Sequence, residues 1–206
     1  MLPADSMYQR RYTVEEYFAL EEQSDIRHEY YHGEIFPMDG FDSPEDMAGG
    51  TKRHNRLIQN CAFAIRVGLQ GRGCEIFAEN VRLAMPDDQH FGYPDVVVSC
   101  DPADDDPRTV HSPTLIMEVL SKSTEARDRG WKFEQYQHLA SLQQYVLVSQ
   151  YRMLVDSFVR TGPSTWALTT LREPAARLVL SSVGVEISLA AIYERIELGP
   201  FRLADG

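Results

Sequence analysis

Hydrophobic positions recur at helical spacing in two segments of the first 70 residues. Thr13 followed by Glu16 matches the S/T-x-x-E pattern of a helix start, so a first helix is predicted through about Glu22. A second helix is predicted from about Thr51 to Leu69, where one stripe carries Leu57, Cys61, Ala64, Ile65 and Gly68. The glycines that follow it at 71 and 73 are typical of a helix end.

Short apolar or alternating runs predict strands in most of the remaining chain. HEYYHGEIFPM predicts a hairpin around His32-Gly33, and residues 39–50 predict a loop rich in acids, glycine and proline. Further strands are predicted in CEIFAENVRLAM, YPDVVVSC, TLIMEVL and QYVLVS, with a turn at MPDDQHFG and a surface loop at DPADDDPRTVHSP. STEARDRGWKFEQYQHLA predicts a helix capped by Ser123 or Thr124.

The order of these elements predicts an α/β (α+β) fold in a single domain, residues 1–206. Residues 51–149 form an αβββαβ core, whose final strand–helix–strand unit indicates a right-handed crossover and a mixed sheet. An N-terminal helix and hairpin (12–38) precede this core. A C-terminal antiparallel annex (151–206) follows it, built from YRMLVDSFVR, TWALTT and RLVLSSVGVEISL, with a last short helix at AAIYERI.

Composition is that of an ordinary globular protein. The chain has 206 residues, of which 43% are hydrophobic and 25% charged. No apolar run reaches the roughly 18 residues of a membrane span, and the N-terminus lacks the apolar segment of a signal peptide, so no membrane partner is expected. The three cysteines show no metal-binding spacing and cannot all pair, which argues against a disulfide scaffold and favours a cytoplasmic, reducing location.

Charge is distributed unevenly along the chain. The net charge of −11 argues against binding nucleic acid by bulk attraction. Residues 1–50 carry a balance of −9, and residues 87–106 hold seven aspartates and no base, whereas residues 51–72 hold five bases and no acid. The basic helix is therefore either a local anion-attracting surface, with Arg53 and Arg56 as phosphate contacts, or simply a solvated face.

Two carboxylates occupy positions where an isolated charge is costly. Asp95 stands at the head of one predicted strand, and Glu118 lies between apolar residues of the next. If the strands are adjacent, both acids converge at one sheet end, where a divalent cation relieves their repulsion. Oxygen ligands favour Mg²⁺ or Mn²⁺ over zinc. The alternative is that Asp95 is a turn residue and that Glu118 pairs with an arginine.

A lysine is the third candidate. Lys132 lies in the helix after the Glu118 strand and could stabilise a phosphoryl oxygen or orient a water. The alternative is an i, i+4 salt bridge with Asp128 on a solvated face. Lys122 competes for the role because it is closer in sequence to Glu118, although it lies in a predicted loop.

These motifs resemble the PD-(D/E)XK nuclease superfamily and, within it, a widespread bacterial restriction-endonuclease-like family. The similarity spans roughly residues 12 to 160 and rests on the composite of PD, EVLS-x-ST and D-x-x-x-K-x-x-x-Y. YTVEEYFAL, the HEYYHGEI hairpin and the helix of His54 are also similar to that family.

The resemblance implies a restriction-endonuclease-like fold and metal-assisted hydrolysis of phosphodiester bonds in nucleic acid, with DNA as the expected substrate. It implies that Asp95 and Glu118 hold the metal and that Lys132 serves near the water, because Leu120 occupies the usual lysine position. His54 could contact phosphate or water at the metal, or merely bond nearby backbone, and Glu79 could also face the site. A homodimer is expected for cutting two strands.

Two other classes of function stay open at this point. A catalytically degenerate member could bind nucleic acid or a protein partner without cleaving anything. A purely structural domain could satisfy both acids with arginines.

Overall fold

A computed structural model of the chain describes residues 10–38, 51–122 and 124–198, so the predicted loop at 39–50 and Ser123 lie outside the described residues. The helices are α1 (Val14–Gln23), α2 (Lys52–Gly68), α3 (Glu125–Arg127), α4 (Phe133–Tyr136) and α5 (Leu189–Ile192), and a π-helical turn, Asp128–Lys132, joins α3 to α4. The strands are β1 (His28–Tyr31), β2 (Glu34–Pro37), β3 (Glu75–Ala78), β4 (Arg82–Ala84), β5 (His90–Gly92), β6 (Val96–Ser99), β7 (Thr109–Val110), β8 (Pro113–Leu120), β9 (Gln144–Ser149), β10 (Val155–Gly162), β11 (Thr165–Leu171), β12 (Arg177–Leu180) and β13 (Val185–Ser188).

A six-stranded mixed sheet forms the centre, in the order β11-β10-β9-β8-β6-β3. β8 and β9 are parallel and are joined through the α3–π–α4 segment, whereas β3, β6 and β8 are antiparallel. The predicted αβββαβ order and mixed sheet are therefore confirmed. The structure adds to this core a five-stranded sheet, β2-β1-β5-β4-β7, which contains the predicted N-terminal hairpin.

Three details of the strand prediction are corrected. The single strand predicted at CEIFAENVRLAM is divided between the two sheets, because Glu79 and Asn80 take positive φ angles of 53° and 57° and turn the chain. The predicted turn contains β5, and the predicted surface loop contains β7. Both missed strands have three residues or fewer, too short for a period to show.

The C-terminal strands are antiparallel, as predicted, but they do not form one annex. β10 and β11 continue the main sheet beyond β9, and β12 and β13 form a separate hairpin. The hairpin and α2 cover one face of the main sheet through a core that includes Leu57, Ile65, Val98, Met117 and Val185.

Both faces of β8 are buried, and this determines where Glu118 points. Alternate side chains of a strand face opposite sides of the sheet. Met117 and Val119 belong to the core beneath α2, whereas Ile116 and Leu120 pack with Tyr136 and Tyr145 on the other face. Glu118 therefore projects toward the α3–π–α4 segment and is only 3% exposed.

The helix caps agree with the sequence in one case and differ in another. Thr13 Oγ1 accepts from the Glu16 N–H, and Glu16 accepts from the Thr13 N–H, which is the predicted capping box. Thr124 precedes α3 but makes no capping bond, because its hydroxyl accepts from the Ser121 N–H instead. Over the described ranges, no helix is both long enough and apolar enough to cross a bilayer.

The cysteines correct one expectation. Cys74 and Cys100 form a disulfide, although the odd cysteine count argued against a disulfide framework, and Cys61 is buried and free. The two positions flank the paired residues Glu75 and Ser99 of β3 and β6, so the sheet register places them opposite each other.

Candidate active site

The sheet register brings Asp95 and Glu118 together. Val96 of β6 pairs with Met117 of β8, so Asp95, which directly precedes β6, lies across from Glu118. The Asp95 N–H donates to Glu118 Oε2 at 3.1 Å, and the Val119 N–H donates to Asp95 Oδ2 at 2.6 Å. The structure thus places the two acids at one end of the sheet, linked by the hydrogen bond from the Asp95 backbone to the Glu118 carboxylate.

Lys132 reaches this pair from the π-helical turn. Its Nζ lies 3.2 Å from Glu118 Oε1, and the Tyr136 hydroxyl donates to the same oxygen at 3.1 Å. The alternative salt bridge with Asp128 is also present, at 3.1 Å, but Asp128 is only 2% exposed, so the pair does not lie on a solvated face. Both contacts of Lys132 belong to one buried network.

Glu29 is a member of this network that the sequence analysis missed. It lies on β1, is 5% exposed, and places Oε1 3.7 Å from Lys132 Nζ, while its Oε2 pairs with Arg127. The signal in the sequence was a charged residue inside a short aromatic strand. That signal was weak, because a hairpin strand commonly exposes alternate residues.

His54 and Glu79 lie around Asp95. His54 Nε2 is 3.3 Å from Asp95 Oδ1, and the N-cap hydroxyl of Thr51 accepts from the His54 N–H. Glu79 is exposed at the end of β3. Its N–H donates to the Asp95 carbonyl at 3.0 Å, and its carboxylate accepts from Asn55 of α2. The side chain of Glu79 therefore lies at the rim of the cluster.

The other candidates are more distant from the acids. Lys122 is exposed in a turn, where its N–H donates to the Tyr151 hydroxyl, and the contacts found for the described residues include none from its ammonium to either acid. Arg53 donates to the Gln150 carbonyl at 3.5 Å, and the exposed Arg56 donates to the Arg195 carbonyl at 3.1 Å. Both arginines lie on the first turns of α2, the helix that carries His54.

Burial and mutual repulsion shape the electrostatics of the site. Burial raises the pKa of Glu118 far above its ordinary value, and Asp95 and Asp128 reinforce the shift, whereas Lys132 opposes it. Burial alone would lower the pKa of Lys132, but Glu118, Asp128 and Glu29 keep it well above normal. Burial also opposes protonation of His54, but the hydrogen bond and charge of Asp95 raise its pKa overall. The ionised form of Glu118 is therefore disfavoured unless a further cation approaches it, whereas Lys132 remains an ammonium.

The donor set fits a divalent cation held by few protein ligands. In the part of the chain that the structure describes, no three His, Cys, Asp or Glu side chains form a group that could hold a metal ion. Mg²⁺ commonly uses one or two carboxylates and fills its remaining positions with water and substrate phosphate. Asp95 and Glu118 are neighbours at one end of the sheet, and their two carboxylates are the ligand type and the ligand number that such a site uses.

Comparisons with known proteins agree with this architecture. The Uma2 family, described as "Putative restriction endonuclease", matches residues 14–191. Two uncharacterized proteins of Synechocystis sp. (strain ATCC 27184 / PCC 6803 / Kazusa) are similar in sequence. The first, slr1290, is 34% identical over 87% of this chain and 90% of its own length; the second, sll1609, is 33% identical over 82% and 92%.

A solved structure shares the fold. The crystal structure of a "putative nuclease belonging to DUF820" from Anabaena variabilis ATCC 29413 superposes with a TM-score of 0.67, covering 88% of this chain and 97% of that one, at 16% identity. The restriction-endonuclease-like fold inferred from the motifs is thereby confirmed. Since the family match spans most of the chain, the protein belongs to the Uma2 family of restriction-endonuclease-like proteins.

Proposed function

We propose that the protein is a metal-dependent nuclease that hydrolyses phosphodiester bonds of nucleic acid, with DNA as the first substrate to test. Membership of the Uma2 family, and the fold shared with the Anabaena variabilis protein described as a putative nuclease, support the reaction class. The observation that carries the proposal is the hydrogen bond from the Asp95 N–H to the Glu118 carboxylate, with an ammonium 3.2 Å from that carboxylate. A buried group whose pKa is shifted by burial and by specific charged partners is a candidate for a functional site.

Asp95 and Glu118 would hold Mg²⁺ or Mn²⁺, with the backbone carbonyl near Val119 as a further oxygen. When bound, such a cation lowers the pKa of a water and neutralises charge on the phosphate. His54 fixes the Asp95 carboxylate through Oδ1, while the Val119 N–H fixes Oδ2. This double restraint orients the acid before any ligand arrives.

Lys132 would act as a positive charge rather than as a base. Three carboxylates surround its ammonium, so releasing a proton there would leave buried negative charge unbalanced. An ammonium in a low-dielectric site stabilises charge that develops on a phosphoryl oxygen or orients the attacking water. Accordingly, the proton of that water would leave to solvent or substrate and not to Lys132.

Substrate contacts would come from α2. Arg53 and Arg56 lie on the same helix end as His54, and contacts from such residues to phosphates give affinity without sequence information. A two-fold homodimer would offer one site to each strand of a duplex.

Metal binding tests the proposal independently of substrate. Calorimetric titration with Mn²⁺ should show binding to the wild type and its loss in Glu118→Gln. Glu21→Gln is the matched control, because Glu21 is a similarly buried acid (5% exposed) on α1 whose partners are His28, Tyr93 and Arg27. Equal binding by all three proteins, or none by the wild type, would contradict the assignment.

One observation favours a second candidate, a nuclease-fold module that only binds nucleic acid or a protein partner. All four oxygens of Asp95 and Glu118 already have partners within the chain, which are the groups of His54, Val119, Asp95, Lys132 and Tyr136. The arginine-paired structural alternative is wrong for the described contacts, because none of these partners is an arginine. The binding module would be favoured if the protein binds DNA in a salt-dependent way, if Arg56→Ala weakens this binding, and if no metal condition gives cleavage.

A further inference from the structure

Lys132 is held by carboxylates from three separate elements. Glu118 comes from β8, Asp128 from the π-helical turn and Glu29 from β1 of the second sheet. We propose that Glu29 is a positioning residue that fixes the Lys132 ammonium over Glu118, so that the N-terminal hairpin completes the active site. The catalytic consequence of this role rests on the proposed nuclease function, whereas the structural role does not.

The burial of Glu29 is the first argument. Its side chain is 6% exposed, and an acid buried to this degree is stable only when its charge is paired. Glu29 pairs with two cations at once, through Oε1 to Lys132 at 3.7 Å and through Oε2 to Arg127. The main sheet and its own helix supply the other two carboxylates, so Glu29 alone ties the ammonium to the hairpin.

The spacing of its two partners is the second argument. Arg127 directly precedes the π-helical turn, and Lys132, five positions later, is the last residue of the turn. A π-turn is closed by hydrogen bonds between residues five apart; it is rare, occurs mostly as a single turn within α-helices and is frequent at functional sites. By bridging the two cations, the Glu29 carboxylate stabilises the turn that aims Lys132 at Glu118.

Neighbouring contacts show that β1 and the π-turn meet along a continuous surface. The Tyr31 ring lies 5.1 Å from the Trp131 ring in an edge-on arrangement, and the Arg127 guanidinium lies 4.9 Å from the centre of the Trp131 ring. Glu29 and Tyr31 are alternate residues of β1, so the strand presents an acid and an aromatic ring to the same turn. This packing holds the Glu29 carboxylate in place independently of any ligand.

The lysine content of the chain allows a direct spectroscopic test. Only Lys52, Lys122 and Lys132 occur in the sequence, so ¹⁵N-lysine labelling gives three Nζ signals, and the signal lost in Lys132→Met is that of Lys132. In the wild type we expect a Lys132 ammonium whose protons exchange slowly with water. Glu29→Gln should shift this signal and speed the exchange at least severalfold, whereas Glu21→Gln should leave it unchanged.

A second variant keeps the test informative if Glu29→Gln does not fold. Glu29→Asp keeps the charge but retracts the carboxylate by one methylene, and it should change the Lys132 signal in the same direction by a smaller amount. A Lys132 signal identical to that of the wild type in either folded Glu29 variant would overturn the proposal.

Kinetics then test the catalytic consequence. For an active wild type, Glu29→Gln should reduce the cleavage rate constant about 10- to 100-fold at saturating substrate, and it should have no further effect in a Lys132→Met background. If Glu29→Gln still reduced the cleavage rate constant in the Lys132→Met background, Glu29 would not act through Lys132. A wild type that cleaves nothing would contradict the proposed function, while the Nζ signals would still decide whether Glu29 positions the lysine.

Discussion

At the scale of single residues, the site depends on one ammonium that is matched to more than one acid. Glu118 is bonded by Lys132, by Tyr136 and by the Asp95 backbone, so its position is strongly determined. Lys132 is the only cation within 4 Å of Glu118 among the described side chains. The chemistry at this end of the sheet should therefore be unusually sensitive to loss of that ammonium.

We predict that Lys132→Met reduces nucleic-acid cleavage about 100-fold or more, because an electrostatic contact used in the transition state contributes several kcal/mol in a buried site. Lys122→Met is the matched control. It removes an ammonium from an exposed turn close to Glu118 in sequence, and its cleavage rate should stay near that of the wild type. Plasmid-nicking rates for the two variants check this, and a larger loss in Lys122→Met would reverse the assignment.

A second residue-scale prediction concerns His90. This histidine is 5% exposed between Tyr31 and Trp131, and burial lowers its pKa to about 4, helped by Arg127 and opposed by Glu29 and Asp87. Its ordinary pKa is 6.5, so the unfolded chain takes up a proton first as the pH falls. The stabilisation is thus present above pH 6.5 and lost between 6.5 and about 4, amounting to about 3 kcal/mol.

Urea unfolding at pH 7.0 and pH 4.5 measures this effect. The wild type should lose about 2 kcal/mol more than His90→Gln between the two pH values, since the variant lacks only this titration. Equal losses in both proteins would show that His90 is not held neutral.

At the scale of elements, α2 connects the site to the C-terminal hairpin. Its first turns carry His54 and Asn55, and its last turn packs against β13 so closely that a Cβ at Gly68 would lie 2.5 Å from Val185 Cγ1. Gly68 therefore permits the contact between helix and hairpin, which explains a glycine within the apolar stripe of a helix.

We predict that Gly68→Ala lowers the free energy of unfolding by about 1–3 kcal/mol, because overpacking outweighs the better helix propensity of alanine. Gly130→Ala is the control, since a Cβ at Gly130 has no neighbour within 4 Å. Val185→Ala should restore part of the loss in the double mutant. Denaturant unfolding decides the matter, and a Gly68→Ala protein as stable as the wild type would contradict the packing argument.

The sequence predicted the elements whose pattern is long and periodic. α1, α2, β6, β8 and β9 were found because capping residues and apolar spacing are local signals. The π-helical turn was not found, since its residues have the same pattern as an α-helix and only tertiary contacts distinguish the two. The division of β3 from β4 depends on two positive φ angles that no spacing reveals.

The same distinction between local and tertiary signals explains which residues of the site could be predicted. Asp95 and Glu118 could be predicted because a carboxylate in an apolar strand is conspicuous, and their contact followed from adjacent strands. Glu29 could not, because its burial results from the packing of one sheet against another element. Likewise, the pairing of Cys74 with Cys100 depends on the register of β3 and β6, which is not encoded in the cysteine spacing.

At the scale of the whole molecule, the charge distribution separates a basic helix from an acidic remainder. The net charge is −11, yet α2 begins with Lys52, Arg53 and Arg56 beside the candidate site. Many of the aspartates between residues 87 and 106 serve the fold, as Asp104 does by accepting from Ser99, His111 and Ser112. An acidic body would repel nucleic acid everywhere except near that helix, which would direct the backbone toward Asp95 and Glu118.

Plasmid cleavage under metal control tests the central claim most directly. Supercoiled DNA incubated with the full-length protein should be nicked in Mg²⁺ or Mn²⁺, should stay intact with excess EDTA, and should stay intact with Glu118→Gln while Glu21→Gln still cleaves. Cleavage that persists in EDTA or in Glu118→Gln, or no cleavage by the wild type with either metal, would contradict the account.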